Sequence, residues 1–312
     1  YALASAFENG INLESRWDGA SPRTISGYTL ENEGNTSYGI VTLLEATEQS
    51  INTPFVDLTD TLGVERVINA AYRSGLPEDT PGIEENLTFV LGTASPTPLE
   101  MAASYATFAT RGIYREPSIV REVSYGGSVR YEQTPSGDQQ FDANIMDNVN
   151  LALQSVVSNG TGSRASALGR PAAGKTGTTD ENRSAWYVGY TPDVVAAVMM
   201  VKEDENGNPI SLRGTGGLSQ VFGSSFPLSM WLGFAQGYLD GKPVETFVAP
   251  QPINGFNNPD APTPTPTETP TETPTEEPTE EPTEEPTDEP TEEPTVGPTD
   301  VPTSGPGPTP SP

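Results

Sequence analysis

The sequence predicts an α+β fold, an antiparallel sheet flanked by helices, followed by a tail that does not belong to the fold. Three observations predict it. Apolar residues recur at helical spacing in several segments between residues 1 and 110, and again at 141–157 and 226–239; that period marks helices packed on one face. Two apolar runs, Ala185–Tyr190 and Val194–Val201, flank the turn Thr191-Pro192-Asp193 as the strands of a buried hairpin would. Composition then breaks near Pro250. Residues 261–312 hold 16 of the 32 prolines and 13 of the 43 acidic residues, with no Lys, Arg or aromatic residue. That leaves a folded part of about 260 residues, enough to enclose a core.

The elements follow in order. Residues 1–9 read as helix, stopped by Asn9-Gly10. Residues 10–38 are rich in Gly, Asn, Ser and Thr and read as loops with short strands. Tyr38 to Gln49 carries Ile40, Leu43, Leu44 and Thr47 at helical spacing and ends at Ser50-Ile51-Asn52. Further helices are expected at Pro54–Leu62 and Val64–Arg73, the latter closed by Ser74-Gly75. Thr97-Pro98-Leu99-Glu100 is a strong start signal: a Thr cap, Pro in the first turn and Glu closing a capping box. Residues 117–133 alternate like a hairpin around Gly126-Gly127. Phe141–Val157 reads as helix up to Asn159-Gly160, and Phe226–Leu239 as a last helix. The domain is thus assigned to residues 1–250 and the tail to 251–312. From Pro262 onward proline recurs at every fourth position, with Pro-Thr-Glu-Glu the most frequent unit. Such a segment cannot bury apolar surface, and an extended, disordered stalk is expected, either an inert spacer or a wall-spanning or glycosylated arm.

Composition excludes several chemistries. There is no Cys, hence no disulfide, thiolate metal site or thiol nucleophile. There is no His, which removes Ser-His-Asp triads and nearly all zinc sites. Any nucleophilic chemistry must move its proton through a lysine or a second serine, and the only lysines are Lys175, Lys202 and Lys242. Residues 1–260 carry 30 acidic against 15 basic side chains, a poor surface for nucleic acid. No cofactor or metal site is expected, and no apolar run is long enough to span a membrane.

Two short motifs carry the chemistry. Lys175-Thr176-Gly177 stands in Gly174-Lys-Thr-Gly-Thr-Thr179, directly ahead of the apolar hairpin. Ser50-Ile51-Asn52 is the only Ser-x-Asn in the chain and falls at a helix end. Each also has a plain structural reading, a solvated lysine in a turn for the first and a helix cap for the second.

A wider set of segments resembles the transpeptidase domain of bacterial class A penicillin-binding proteins. Residues Gly92–Ala106, Asn159-Gly-Thr-Gly162, Gly174–Thr179 and Ala185-Trp-Tyr-Val-Gly-Tyr-Thr-Pro-Asp193 follow that family's order and spacing. The resemblance implies a penicillin-binding, β-lactamase-like fold and a peptidoglycan D,D-transpeptidase. Such an enzyme cross-links stem peptides ending in D-Ala-D-Ala through a serine acyl-enzyme and takes β-lactam antibiotics at the same site. It implies a proton-relay role for Ser50, an amide contact for Asn52 and a positive pocket from Lys175. Thr176 and Thr178 would bind the terminal carboxylate, the Thr178 N–H would serve the oxyanion hole, and Gly177 would leave the strand edge open to the substrate backbone. The family also uses a Ser-x-x-Lys motif, which these residues lack: positions 172, 199 and 239 are Ala172, Met199 and Leu239. The resemblance places that serine about five residues ahead of Tyr1. The expectation is therefore a fragment that is inactive alone, whose parent carries an upstream glycosyltransferase domain and a membrane anchor and works outside the cytoplasm. A serine β-lactamase or D,D-carboxypeptidase, and a non-catalytic wall-associated binding protein, are the competing readings.

Overall fold

A computed structural model describes residues 1–134 and 136–255. In chain order these form α1 (Ala2–Glu8), β1 (Arg16–Asp18), β2 (Arg23–Ile25), β3 (Tyr28–Leu30), β4 (Ile40–Thr42), α2 (Leu43–Gln49), α3 (Asn52–Leu62), α4 (Val64–Ser74), α5 (Pro98–Ala109), β5 (Ile113–Tyr114), β6 (Glu122–Tyr125), β7 (Ser128–Glu132), β8 (Asp138–Gln139), α6 (Ala143–Ser158), β9 (Ala173–Thr178), β10 (Ser184–Tyr190), β11 (Val195–Val201) and α7 (Phe226–Leu239). The α+β expectation holds. The main sheet is antiparallel with order β11-β10-β9, and helices cover it.

Which helix covers which face follows from the alternation of β10. Tyr190 meets Tyr105 of α5, and its hydroxyl donates to Asn150 of α6 (2.7 Å). Tyr187 and Gly189 point the other way: Tyr187 packs edge-on to Trp231 of α7, and a Cβ at Gly189 would stand 2.5 Å from the Trp231 ring. Side chains of a strand alternate between faces, so α5 and α6 lie on one side and α7 on the other. A large core on the first side joins α1, α4, α5 and α6, with Trp17 and Tyr190 fully enclosed. A smaller core on the second side holds Tyr187, Leu228, Trp231, Ala235 and Leu239.

Two capping boxes set helix starts as the sequence signals. Thr97 and Glu100 exchange hydrogen bonds at the start of α5, and Thr42 and Glu45 do so at α2. The second box corrects the reading of residues 38–49 as one helix. Ile40-Val41-Thr42 forms β4 and pairs with β1, and only Leu43–Gln49 is helical. Three consecutive β-branched residues suit a strand, and the apolar spacing across 40–44 was a coincidence of the two patterns. Helix α3 starts at Asn52, two residues earlier than expected, because Pro54 then falls in the first turn, where its missing N–H costs nothing. The folded part also runs past residue 250. Gln251 exchanges hydrogen bonds with Asn144, and Asn12 Nδ2 donates to the Gly255 carbonyl (3.4 Å). The proline-rich repeat lies outside the described residues. No helix among the described residues is long and apolar enough to cross a membrane.

Candidate active site

Ser50 ends α2 in the left-handed region, at φ 56° and ψ 48°. The backbone there makes the double bond of a Schellman turn: Ile51 N donates to Ala46 O (2.9 Å) and Ser50 N to Thr47 O (3.3 Å). Glycine normally occupies that position, and a serine costs about 1–2 kcal/mol in backbone strain. What serine adds is a hydroxyl, and the structure puts it to use. Lys175 Nζ donates to Ser50 Oγ at 2.6 Å and to Thr176 O at 3.1 Å. The two sequence motifs, 125 residues apart, therefore meet.

Lys175 projects from β9 on the α6 side of the sheet, the side shared by its cross-strand partner Val188 and by Tyr190. It is half-buried, and no carboxylate among the described residues bonds its amine. Desolvation lowers its pKa to about 8. At neutral pH it is a cation, close enough to its midpoint to exchange a proton with a neighbour. The depressed value also has a stability consequence. Between about pH 8 and the ordinary lysine value of about 10.5 the unfolded chain binds more protons than the folded one. Stability from this residue therefore rises with pH through that window, and the full penalty is present below it. Lys175→Met is expected to stabilise the protein at pH 7, with the advantage gone by about pH 10.5; urea titrations of both proteins at the two pH values check this. With only three lysines, ¹³C NMR of the dimethylated protein resolves the Lys175 titration directly.

Asn52 stands at the first turn of α3, two residues past Ser50, and its Nδ2 donates to the Glu31 carbonyl (2.9 Å). Its Oδ1 accepts no hydrogen bond from the described residues and is free to take one from a ligand amide. Thr176 and Thr178 lie on the face of β9 opposite Lys175. The Thr176 hydroxyl meets that of Thr161 at 2.7 Å, and the Thr178 hydroxyl accepts the Gly223 N–H at 3.3 Å. β9 is one of the two edge strands of the sheet, β11 being the other, and pairs only with β10 among the described residues. An extended peptide can add there as a further strand.

Three residues that shape the site were not singled out from the sequence. In the sequence Thr161 stands only within a spacing pattern, and nothing marks Glu48 or Gly223. Gly223 lies so close to the Gly177–Trp186 pair that a Cβ on it would stand 2.0 Å from Trp186 O and 2.8 Å from Gly177 O. A Cβ at Gly177 itself would be 3.3 Å from Trp186 Cβ, tight but tolerable. The loop before α7 is held in place by Asn182, whose side chain donates to Val221 O (2.7 Å) and accepts from Val221 N (2.9 Å). Gly223→Ala must push this loop off β9. It is expected to cost about 1–3 kcal/mol in a thermal melt and to release the Thr178 hydroxyl. Among the described residues no cluster of His, Cys, Asp or Glu could hold a metal ion.

Comparison with known proteins identifies the family. The family described as penicillin binding protein transpeptidase domain matches residues 1–218, and a PT disordered repeat matches residues 277–312. Penicillin-binding protein 1A of Mycolicibacterium smegmatis is 33% identical over 290 residues, covering 85% of this chain and 36% of the relative. Penicillin-binding protein 1A of Aquifex aeolicus is 33% identical over 252 residues, covering 79% of this chain and 33% of the relative. The chain thus spans about a third of the length of these relatives. The penicillin-binding protein PonA1 of Mycobacterium tuberculosis superposes with a TM-score of 0.72 at 31% identity, covering 87% of this chain and 74% of that one. The PonA1 structure in complex with penicillin V gives 0.71 at 30% identity, with 85% and 73% covered. The chain belongs to the penicillin-binding protein transpeptidase domain family, in its class A branch.

Proposed function

We propose that residues 1–312 carry the substrate-binding and proton-relay half of a peptidoglycan D,D-transpeptidase site. One observation carries this reading: Lys175 Nζ donates to Ser50 Oγ at 2.6 Å beside the free edge of β9. A stem peptide ending in D-Ala-D-Ala would lie along β9 with its terminal carboxylate near Lys175 and the hydroxyls of Thr176 and Thr178. Asn52 Oδ1 would accept from a substrate amide. A serine from a Ser-x-x-Lys motif, which these residues do not contain, would attack the carbonyl of the penultimate D-Ala and give its proton to the lysine of that motif. The oxyanion would be held by the Thr178 N–H and that serine's own N–H. Collapse would break the amide bond as Ser50 passes a proton to the departing nitrogen, and Lys175 would refill Ser50. The released D-Ala leaves a serine ester, and an amine of a neighbouring stem peptide would take the acyl group and complete the cross-link. β-Lactams would acylate the same serine. We infer, from the resemblance, that the protein containing this chain also carries a glycosyltransferase domain and a membrane anchor and works on the outer side of the membrane.

The absence of Ser-x-x-Lys from residues 1–312 favours a second reading for this chain taken alone, binding without turnover. NMR titration with a diacetyl-L-Lys-D-Ala-D-Ala peptide tests the binding half. Saturable shifts at β9 are expected, absent with the L-Ala-L-Ala isomer and lost in Lys175→Ala. Equal binding by Lys175→Ala would overturn the assignment.

A further inference from the structure

The turn that follows α6 touches both halves of the site. Thr161 N donates to Glu48 O (3.0 Å), two residues ahead of Ser50. The Glu48 carboxylate accepts from the Ser155 hydroxyl and from Asn159 Nδ2 (3.3 Å). Gln49 Nε2 donates to Asn159 O (3.4 Å). Gly160 leaves no room for a side chain, since a Cβ would stand 2.2 Å from Glu48 O. The turn is therefore pinned to the helix end that presents Ser50. From this fixed base Thr161 Oγ1 reaches Thr176 Oγ1 at 2.7 Å, on the strand that presents Lys175.

A hydroxyl has one proton and two lone pairs, so the direction of this bond matters. A Thr176 that donates to Thr161 turns only lone pairs toward an incoming carboxylate. A Thr176 that accepts from Thr161 keeps its own proton for the ligand. Thr161 Oγ1 makes no other hydrogen bond with the described residues, so nothing competes for its proton. An anion arriving at β9 then selects the second arrangement, because each donated bond polarises the next.

We propose that Thr161 is a positioning residue for carboxylate recognition: held by the Glu48 clamp, it donates to Thr176 Oγ1 and aims the Thr176 proton at the terminal carboxylate of the ligand. The proposal rests on the D-Ala-D-Ala reading above and deepens it. It predicts a dependence on the charge of the ligand that a purely structural threonine would not produce.

The test is an NMR titration of the full chain with diacetyl-L-Lys-D-Ala-D-Ala and with the same peptide ending in a carboxamide. Thr161→Val keeps the shape and removes the donor. It is expected to weaken the acid peptide about three- to tenfold and to leave the amide peptide unchanged. Thr161→Ser is expected to restore wild-type affinity. Thr176→Val is expected to lose a similar factor by itself, with nothing further lost when Thr161→Val is added. Equal weakening of both peptides, an unchanged acid affinity in Thr161→Val, or full additivity in the double variant overturns the proposal. An unmutated chain that binds acid and amide peptides alike instead overturns the carboxylate reading beneath it.

Discussion

Residues 1–312 incubated with a fluorescent penicillin are expected to take up no covalent label. The expectation is not trivial, because the structure contains a serine and a lysine in contact. Ser50 Oγ lies 2.6 Å from a lysine amine whose pKa is lowered to about 8. A nucleophile within hydrogen-bond reach of a base is the general signature of covalent catalysis. Ser50 could on that ground be taken as the acylated residue. Two features argue against it. Ser50 has the αL backbone of a Schellman turn, where its hydroxyl is directed to Lys175 and held there. And the family's own nucleophile comes from Ser-x-x-Lys, for which the only possible serine positions here hold Ala172, Met199 and Leu239. Intact-mass analysis decides between the two. An adduct mapped to Ser50 would make Ser50–Lys175 the catalytic pair and overturn the relay role. The same chain extended by a helix bearing Ser-x-x-Lys ahead of Tyr1 is expected to label. In that extended chain Lys175→Ala is expected to slow acylation about 10²-fold or more, the scale of a lost general acid–base partner.

This pair also shows what the sequence could and could not convey. Local signals were legible. The Thr97–Glu100 capping box, the end of α2 at Ser50 and the hairpin turn at Thr191-Pro192-Asp193 all depend on residues within a few positions of one another. The meeting of Ser50 with Lys175 spans 125 residues, and only the family resemblance suggested it. The strand β4 was hidden inside a helix reading because its pairing with β1 is a non-local contact. Thr161 and Gly223 were opaque for the same reason. Their neighbours on β9 lie 15 and 45 residues away, and neither residue type is unusual in a turn. The serine at the αL position was the one local clue that could have been pressed harder: where glycine would relax the backbone, a serine signals a use for its hydroxyl.

The largest stability effect is expected from Trp231→Ala, about 3–5 kcal/mol by urea titration. The reason lies in two glycines. Gly174 and Gly189 face each other across β9 and β10, so the sheet has no side chain there on its α7 face. Aromatic rings fill the hollow. A Cβ at Gly174 would stand 2.6 Å from the Tyr187 hydroxyl, and one at Gly189 2.5 Å from the Trp231 ring. Tyr187 and Trp231 meet edge-on with centroids 5.3 Å apart, and Trp231 Nε1 donates to Gly189 O at 2.7 Å. Removing Trp231 leaves a cavity and takes one donor from the Gly189 carbonyl. Tyr187 provides the internal control. Its hydroxyl is buried with no partner among the described residues, so Tyr187→Phe removes a desolvated polar group and keeps the ring. That change is expected to be neutral or slightly stabilising. The contrast has a functional side. β9 carries Lys175 one residue beyond Gly174, and its pairing with β10 fixes the strand from which that amine reaches Ser50. As the sheet loosens in Trp231→Ala, the Lys175 titration is expected to move up from about 8 toward the ordinary lysine value, while in Tyr187→Phe it stays in place. A Trp231→Ala protein that loses stability with an unmoved Lys175 would show instead that the amine is desolvated by the Ser50 side of the site alone.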